Sequence, residues 1–145
     1  MISAAARYLS ALLTANLVWE IAQLPLYTLW TVGTRAEIVF AVLHCTGGDA
    51  MIAVVALGMA LVLTRARSWP AERRLAVTLT ATAIGAAYTV FSEWLNVDVR
   101  GTWGYAPAMP RLPLLGTGLA PLLQWLVLPP LAMLMVRRAA SRTAG

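Results

Sequence analysis

Glu20, His44 and Glu93 each stand inside a long apolar run of this 145-residue chain, and each can move a proton. An ionisable group in an apolar medium costs roughly 2.5–3.5 kcal/mol on membrane-insertion scales, so it ordinarily faces a partner or a wet cavity. Asn16, Glu20 and Gln23 follow each other at i, i+4 and i+7, which is one face of a helix. That stripe should point inward, with Glu20 about 16 Å from the outer helix end. Pro25 should kink the helix just above it. Glu20 is thus a candidate acid, and an interhelical hydrogen-bond clasp is the structural alternative for the same stripe.

His44 is the sole histidine, and Cys45, Gly47, Gly48 and Asp49 follow it closely. Glu37 and His44 share a face. Asp49 lies on a different one, so only a break at Gly47-Gly48 would bring it to the histidine. His44 reads as a proton carrier or ligand, or as a structural partner of Glu20 or a backbone carbonyl. Tyr88, Ser92 and Asn96 form another stripe, with Glu93 beside Ser92 and about a turn from the outer surface, where water could reach it. Gln124-Trp125 falls at the same level. Glu20, Gln23, His44, Tyr88, Glu93 and Gln124 all fall in one outer stratum and predict a polar pocket roofed by Trp103-Gly104-Tyr105. Within it Glu20, His44 and Glu93 are the expected catalytic groups. Asn16, Gln23, Asp49, Tyr88, Trp103, Tyr105, Gln124 and Trp125 are the expected substrate contacts.

His44 with Glu20, Asp49 and Glu93 would suit iron, manganese or zinc. However, the Glu-x-x-His pairs usual in di-iron bundles are missing, and no metal is expected. A single histidine excludes a haem with two histidine ligands. There is no Gly-rich phosphate loop, His-Glu-x-x-His signature or Ser-His-Asp pattern. Cys45 alone forms neither an intrachain disulfide nor a cysteine metal cluster. The cofactor, if there is one, stays unknown.

The elements that must position these groups follow from composition. Hydrophobic residues make up 60% and charged residues 12%, with a mean hydropathy of +0.73. Soluble domains carry roughly 45–50% and about 25%, and so small a fold could not hide that much apolar surface from water. The pattern predicts an all-α integral membrane protein, a bundle of four transmembrane helices over 9–30, 36–64, 75–96 and 116–136. An outer cap loop, 97–115, holds Gly101, Gly104, Pro107, Pro110 and Pro113 and should be ordered. Alternating ten-residue segments of a β-barrel are absent. Pro70 and Glu72 suit the start of the third helix. Pro129-Pro130 should bend or break the inner half of the fourth, and the tail after Arg138 should be flexible. Gly58, Ala83, Gly85, Ala86 and Ala87 favour tight helix contacts.

Arg7, Arg65, Arg67, Arg73, Arg74, Arg137, Arg138 and Arg142 fall on one side of such a bundle, and Arg35, Arg100 and Arg111 on the other. The positive-inside rule then places both termini in the cytoplasm. Tyr27, Trp30, Trp94, Trp103 and Tyr105 suit an outer aromatic belt. The net charge of +5 lies at the edges of apolar runs, which argues against a nucleic-acid partner. The N-terminal run, lacking a cleavage pattern, reads as a retained helix. An Ala- and Arg-rich chain without lysine fits a high-GC bacterial gene and the inner membrane.

The expected function is binding or acid–base processing of a lipid-like molecule: an isoprenoid, a sterol-like lipid or a quinone-like compound. The segment from Glu93 through Gly101-Thr102-Trp103-Gly104-Tyr105 to Gln124-Trp125 resembles membrane terpenoid cyclases, hydratases and isomerases over about a third of the chain. The likeness carries no activity over. The alternatives are a non-catalytic subunit of a larger membrane complex, or a homo-oligomeric transporter using Glu20 for proton coupling.

Overall fold

The computed structural model describes residues 2–142, with side chains from Ala4 to Val136. Four long helices, α1 (Ile2–Gln23), α3 (Arg35–Leu63), α4 (Arg74–Glu93) and α5 (Leu119–Arg142), are joined by a short α2 (Leu29–Val32) and loops. All four are long and apolar enough to cross a membrane. No β-strand occurs among the described residues. Each long helix packs on the next and α5 returns to α1, which closes a ring. The start of α1 and the 64–73 connection share one end of the bundle. Residues 24–34 and 94–118 build the other.

Several boundaries depart from the sequence reading, each for a local reason. The first span is not one kinked helix. Pro25 supplies no N–H, so α1 stops at Gln23, tightens into a 3₁₀ turn at Leu24–Leu26, and restarts only at α2. By contrast, α3 runs unbroken through Gly47-Gly48, so the break that would carry Asp49 to His44 does not exist. α5 likewise continues through Pro129 and Pro130 and extends to Arg142, past the expected start of a flexible tail. Its first residue is Leu119 rather than Gly116. Arg73, at φ 52°, holds the chain out of helical geometry until Arg74, leaving Pro70 and Glu72 in the connection. At its other end α4 widens after Glu93 into a π turn, Trp94–Val99. The side chains of Arg137, Arg138 and Arg142, and the tail beyond, lie outside the described residues.

The bundle has two chemically different halves. Toward the 64–73 connection the interior is apolar: Tyr8, Leu12, Ala56, Leu57, Ala60, Val77, Leu128 and Met133 are all buried there. Trp69, from the connection itself, closes this end. It is 1% exposed and meets Tyr8 edge-on at 6.2 Å, a plug that hydropathy alone does not show. Of the small residues expected at tight contacts, Gly85 is the one that matters. A Cβ there would fall 1.9 Å from Cε3 of Trp125, so the indole rests directly on the α4 backbone. Gly58 has nothing within 4 Å of such a Cβ, and Ala83 and Ala87 face outward.

Candidate functional site

In the other half, three helices bring amide and carboxyl groups together. Asn16 and Gln23 of α1, Asp49 of α3 and Gln124 of α5 are all buried. Gln124 sits at the centre, donating from Nε2 to Asp49 Oδ2 at 2.7 Å and to Asn16 Oδ1 at 3.3 Å. Its Oε1 accepts from Gln23 Nε2 at 3.4 Å, and the same Gln23 nitrogen donates to Glu20 Oε1 at 2.9 Å. The amides therefore point their donors at the two carboxyls. Gln23 and Gln124 thus link Glu20 and Asp49 through one chain of amides.

The i, i+4, i+7 stripe thus faces inward, but Glu20 lies only one turn below the end of α1. The early stop of α1 has a second effect: it turns Tyr27 inward. Tyr27 donates to Glu93 Oε2 at 3.5 Å, and Tyr105 donates to the same oxygen. Glu93 is buried rather than wet. Gly118 N in turn donates to the Tyr105 hydroxyl at 2.9 Å, and a Cβ on Gly118 would fall 2.9 Å from the Tyr105 ring. Arg111 lies 4.7 Å over that ring, and the Tyr27 ring centroid is 5.6 Å away. Tyr27 and Tyr105 are consequently parts of the interior and not anchors of an outer belt, whereas Trp30 and Trp94 are exposed. Two backbone hydrogen bonds fasten the cap to this corner, Thr28 N to Gly104 O and Ala106 N to Leu26 O, both 2.9 Å.

Above the carboxyls opens a cleft of about 1790 Å³, walled by α3 and α4, roofed by Thr102-Trp103-Gly104 and floored by Gln23, Asp49, Gln124 and Trp125. His44 and Tyr88 line its open side and are exposed. His44 stacks on Phe40 with centroids 5.4 Å apart and makes no side-chain hydrogen bond among the described residues. The structure therefore brings together Asn16, Glu20, Gln23, Asp49 and Gln124, with Glu93, Trp103 and Tyr105 adjoining. His44 and Tyr88 stay at the rim. Glu37, which shares a face with His44, instead caps α3: its Oε2 accepts from Thr34 N and Oγ1, both at 2.8 Å.

Two polar atoms bordering the cleft are buried and have no hydrogen-bond partner among the described residues: Gln23 Oε1 and Trp103 Nε1. No group of three or more metal-ligating side chains forms among the described residues, because His44 points away from the carboxyl pair.

The tyrosines give this corner a pH dependence. Burial pushes both hydroxyls above their ordinary value of 10.0, and the neighbouring Glu93 adds to the shift. A folded-state pKa above the unfolded one contributes stability that is complete below pH ~10 and declines as pH rises further. Melting temperature should therefore fall more steeply between pH 9 and 11 for the parent than for a Tyr27→Phe/Tyr105→Phe double variant. Equal slopes would exclude these tyrosines as the cause.

No protein-family model, curated protein or solved structure matches this chain.

Proposed function

We propose that this chain is a multi-pass protein of a bacterial inner membrane, with both termini cytoplasmic. In its outer half it binds, and processes by acid–base chemistry, a lipid-like molecule of isoprenoid, sterol-like or quinone-like character. The observation that carries this reading is the buried amide network holding Glu20 and Asp49 beside a large cleft with mostly apolar walls. Intramembrane carboxyls usually face a functional cavity, since insertion disfavours them. A buried carboxyl can exchange a proton with whatever lies against it, and Glu93, which also borders the cleft, is a second exchange point. The cleft meets the bundle surface between α3 and α4 beside exposed Phe40, Leu43 and Met51. A molecule dissolved in the bilayer can enter there without crossing water.

The arginine-rich end and the carboxyl-bearing end are opposite ends of the bundle, which supports placing the pocket in the outer leaflet. His44, on the open side, meets an entering molecule before the carboxyls do.

The test is extraction and mass spectrometry of lipids retained by the purified protein. Glu20→Gln and Asp49→Asn should keep the fold while retaining at least about tenfold less of the molecule held by the parent, as expected when a hydrogen bond to a charged group is lost. His44→Ala should weaken retention less. If the two carboxyl variants fold and retain the same molecule at the same level, the reading fails. Stoichiometric partner chains with no bound lipid would favour a subunit role.

A further inference from the structure

A second cavity lies at the other end of the bundle from the cleft, in the groove between α1 and α5. It measures about 420 Å³ and is lined by Ala6, Arg7, Ser10, Ala11, Met135 and Val136. That volume falls within the roughly 300–1,000 Å³ of small-molecule sites. Its floor belongs to the main apolar cluster: Val136 is buried, and Ala11 packs against that cluster. Arg7 and Ser10 stand three residues apart on α1, which puts them on one face, and both are exposed. Leu13 and Leu17 of α1 and Leu131 of α5, also exposed, continue the two walls toward the middle of the bundle. The groove is thus an apolar trough with a guanidinium and a hydroxyl at its head.

The charge around that head has one sign. Arg65, Arg67, Arg73 and Arg74, in and just after the neighbouring connection, are exposed, and Glu72 is the one carboxylate among them. The other acidic side chains, Glu20, Glu37, Asp49, Glu93 and Asp98, belong to the opposite half. An exposed arginine at a helix end can be satisfied by water, so Arg7 by itself calls for no ligand. Arg7 is different in being set on an apolar trough, at the level where a spanning bundle meets lipid head groups.

We infer that the α1–α5 groove binds an anionic phospholipid of the arginine-side leaflet, its phosphate on Arg7 and Ser10 and an acyl chain along the trough. The site is separate from the cleft and does not depend on what the cleft holds. Arginine pairs with phosphate through two parallel N–H donors, and the Ser10 hydroxyl can donate a further hydrogen bond. Basic pockets between transmembrane helices take acidic head groups in this way. Free phosphate would leave the apolar walls unused. A zwitterionic lipid would bring an ammonium group among arginines, which like-charge repulsion disfavours.

The experiment places the full chain in nanodiscs of dioleoyl-phosphatidylglycerol and dioleoyl-phosphatidylcholine in equal amounts. Lipid that stays bound on release is counted by native mass spectrometry. One retained phosphatidylglycerol per chain is expected, in about fivefold excess over phosphatidylcholine. Arg7→Gln should lower its retention about fivefold, the usual effect of one basic residue at an anionic surface. Ala6→Leu should lower it with every arginine in place, because the larger side chain fills the trough. Arg67→Gln, at a residue that does not line the groove, should change retention by less than about twofold. All three positions are exposed, and unaltered melting in detergent verifies that each variant is folded. Equal retention of the two lipids by the parent overturns the proposal without any variant. Equal losses from Arg7→Gln and Arg67→Gln also overturn it, since they mean general attraction to the arginine-rich end. Full retention by Ala6→Leu does the same.

Discussion

Gly85→Ala is expected to lower the stability of the bundle by about 3 kcal/mol, at the upper end of typical overpacking costs, and to empty the cleft. A new Cβ would lie 1.9, 2.5 and 2.6 Å from three atoms of the Trp125 ring. Neither side has slack. Gly85 is in the middle of an unbroken α4, whose ladder resists displacement, and Trp125 is 3% exposed and packed into the core. The indole must leave, and it borders the cleft next to Gln124, the centre of the amide network. Stability and lipid retention should therefore fall together. Trp125→Leu should partly rescue Gly85→Ala in a double-mutant cycle, since the smaller side chain vacates the space the methyl needs. Melting in detergent measures the first effect, and an unchanged transition for Gly85→Ala would contradict the packing described.

Trp69→Ala should cost about 3–5 kcal/mol, the usual range for removing a buried large aromatic. The side chain is 1% exposed, belongs to the main apolar cluster, and stands edge-on to Tyr8. Removing it opens the arginine-bearing end of the ring. Trp69→Phe gives the contrast. The indole N–H is buried with no partner among the described residues, so phenylalanine keeps most of the packing and sheds a polar atom that gains nothing. A cost below about 1.5 kcal/mol is expected for that substitution. The two variants melting alike would show that ring packing at this end is not what stabilises it.

The helix-scale pattern was readable because it depends on period and solvent. Asn16, Glu20 and Gln23 share a face by arithmetic alone, and the cost of lipid-facing carboxyls turns that face inward. That Gln124 lies at the level of the stripe followed from comparing depths along separate helices, whereas Asp49 joins the network without the break at Gly47-Gly48 to which its approach was tied. What could not be read depended on events at single residues. Tyr27 looked like a boundary aromatic because its direction is set by the helix ending two residues before Pro25. Gly47-Gly48 looked like a hinge because glycine weakens a helix. Yet α3 spans 29 residues, and cooperative hydrogen bonding on both sides carries the ladder through. With that ladder intact His44 stays at the rim, about 140° around the helix from Asp49. Trp69 was hidden for a different reason: it sits in a polar, arginine-rich connection whose composition says nothing of one side chain folding back.

The corner where Thr28 and Leu26 bond to Gly104 and Ala106 joins residues separated by 76 or more positions in the chain. During synthesis the first helix is complete long before these partners exist. Until residue 106 has been made and brought back over the bundle, Leu26 O and Thr28 N must be satisfied by water or by other groups. The same holds for Tyr105, whose hydroxyl receives Gly118 N only once the start of α5 has arrived. Insertion of the spans and closure of the mouth are thus separate events in time. A protein halted after its third span would have its carboxyl pair but neither Gln124 nor a finished roof, and would stand open on the side where the finished molecule is most constrained.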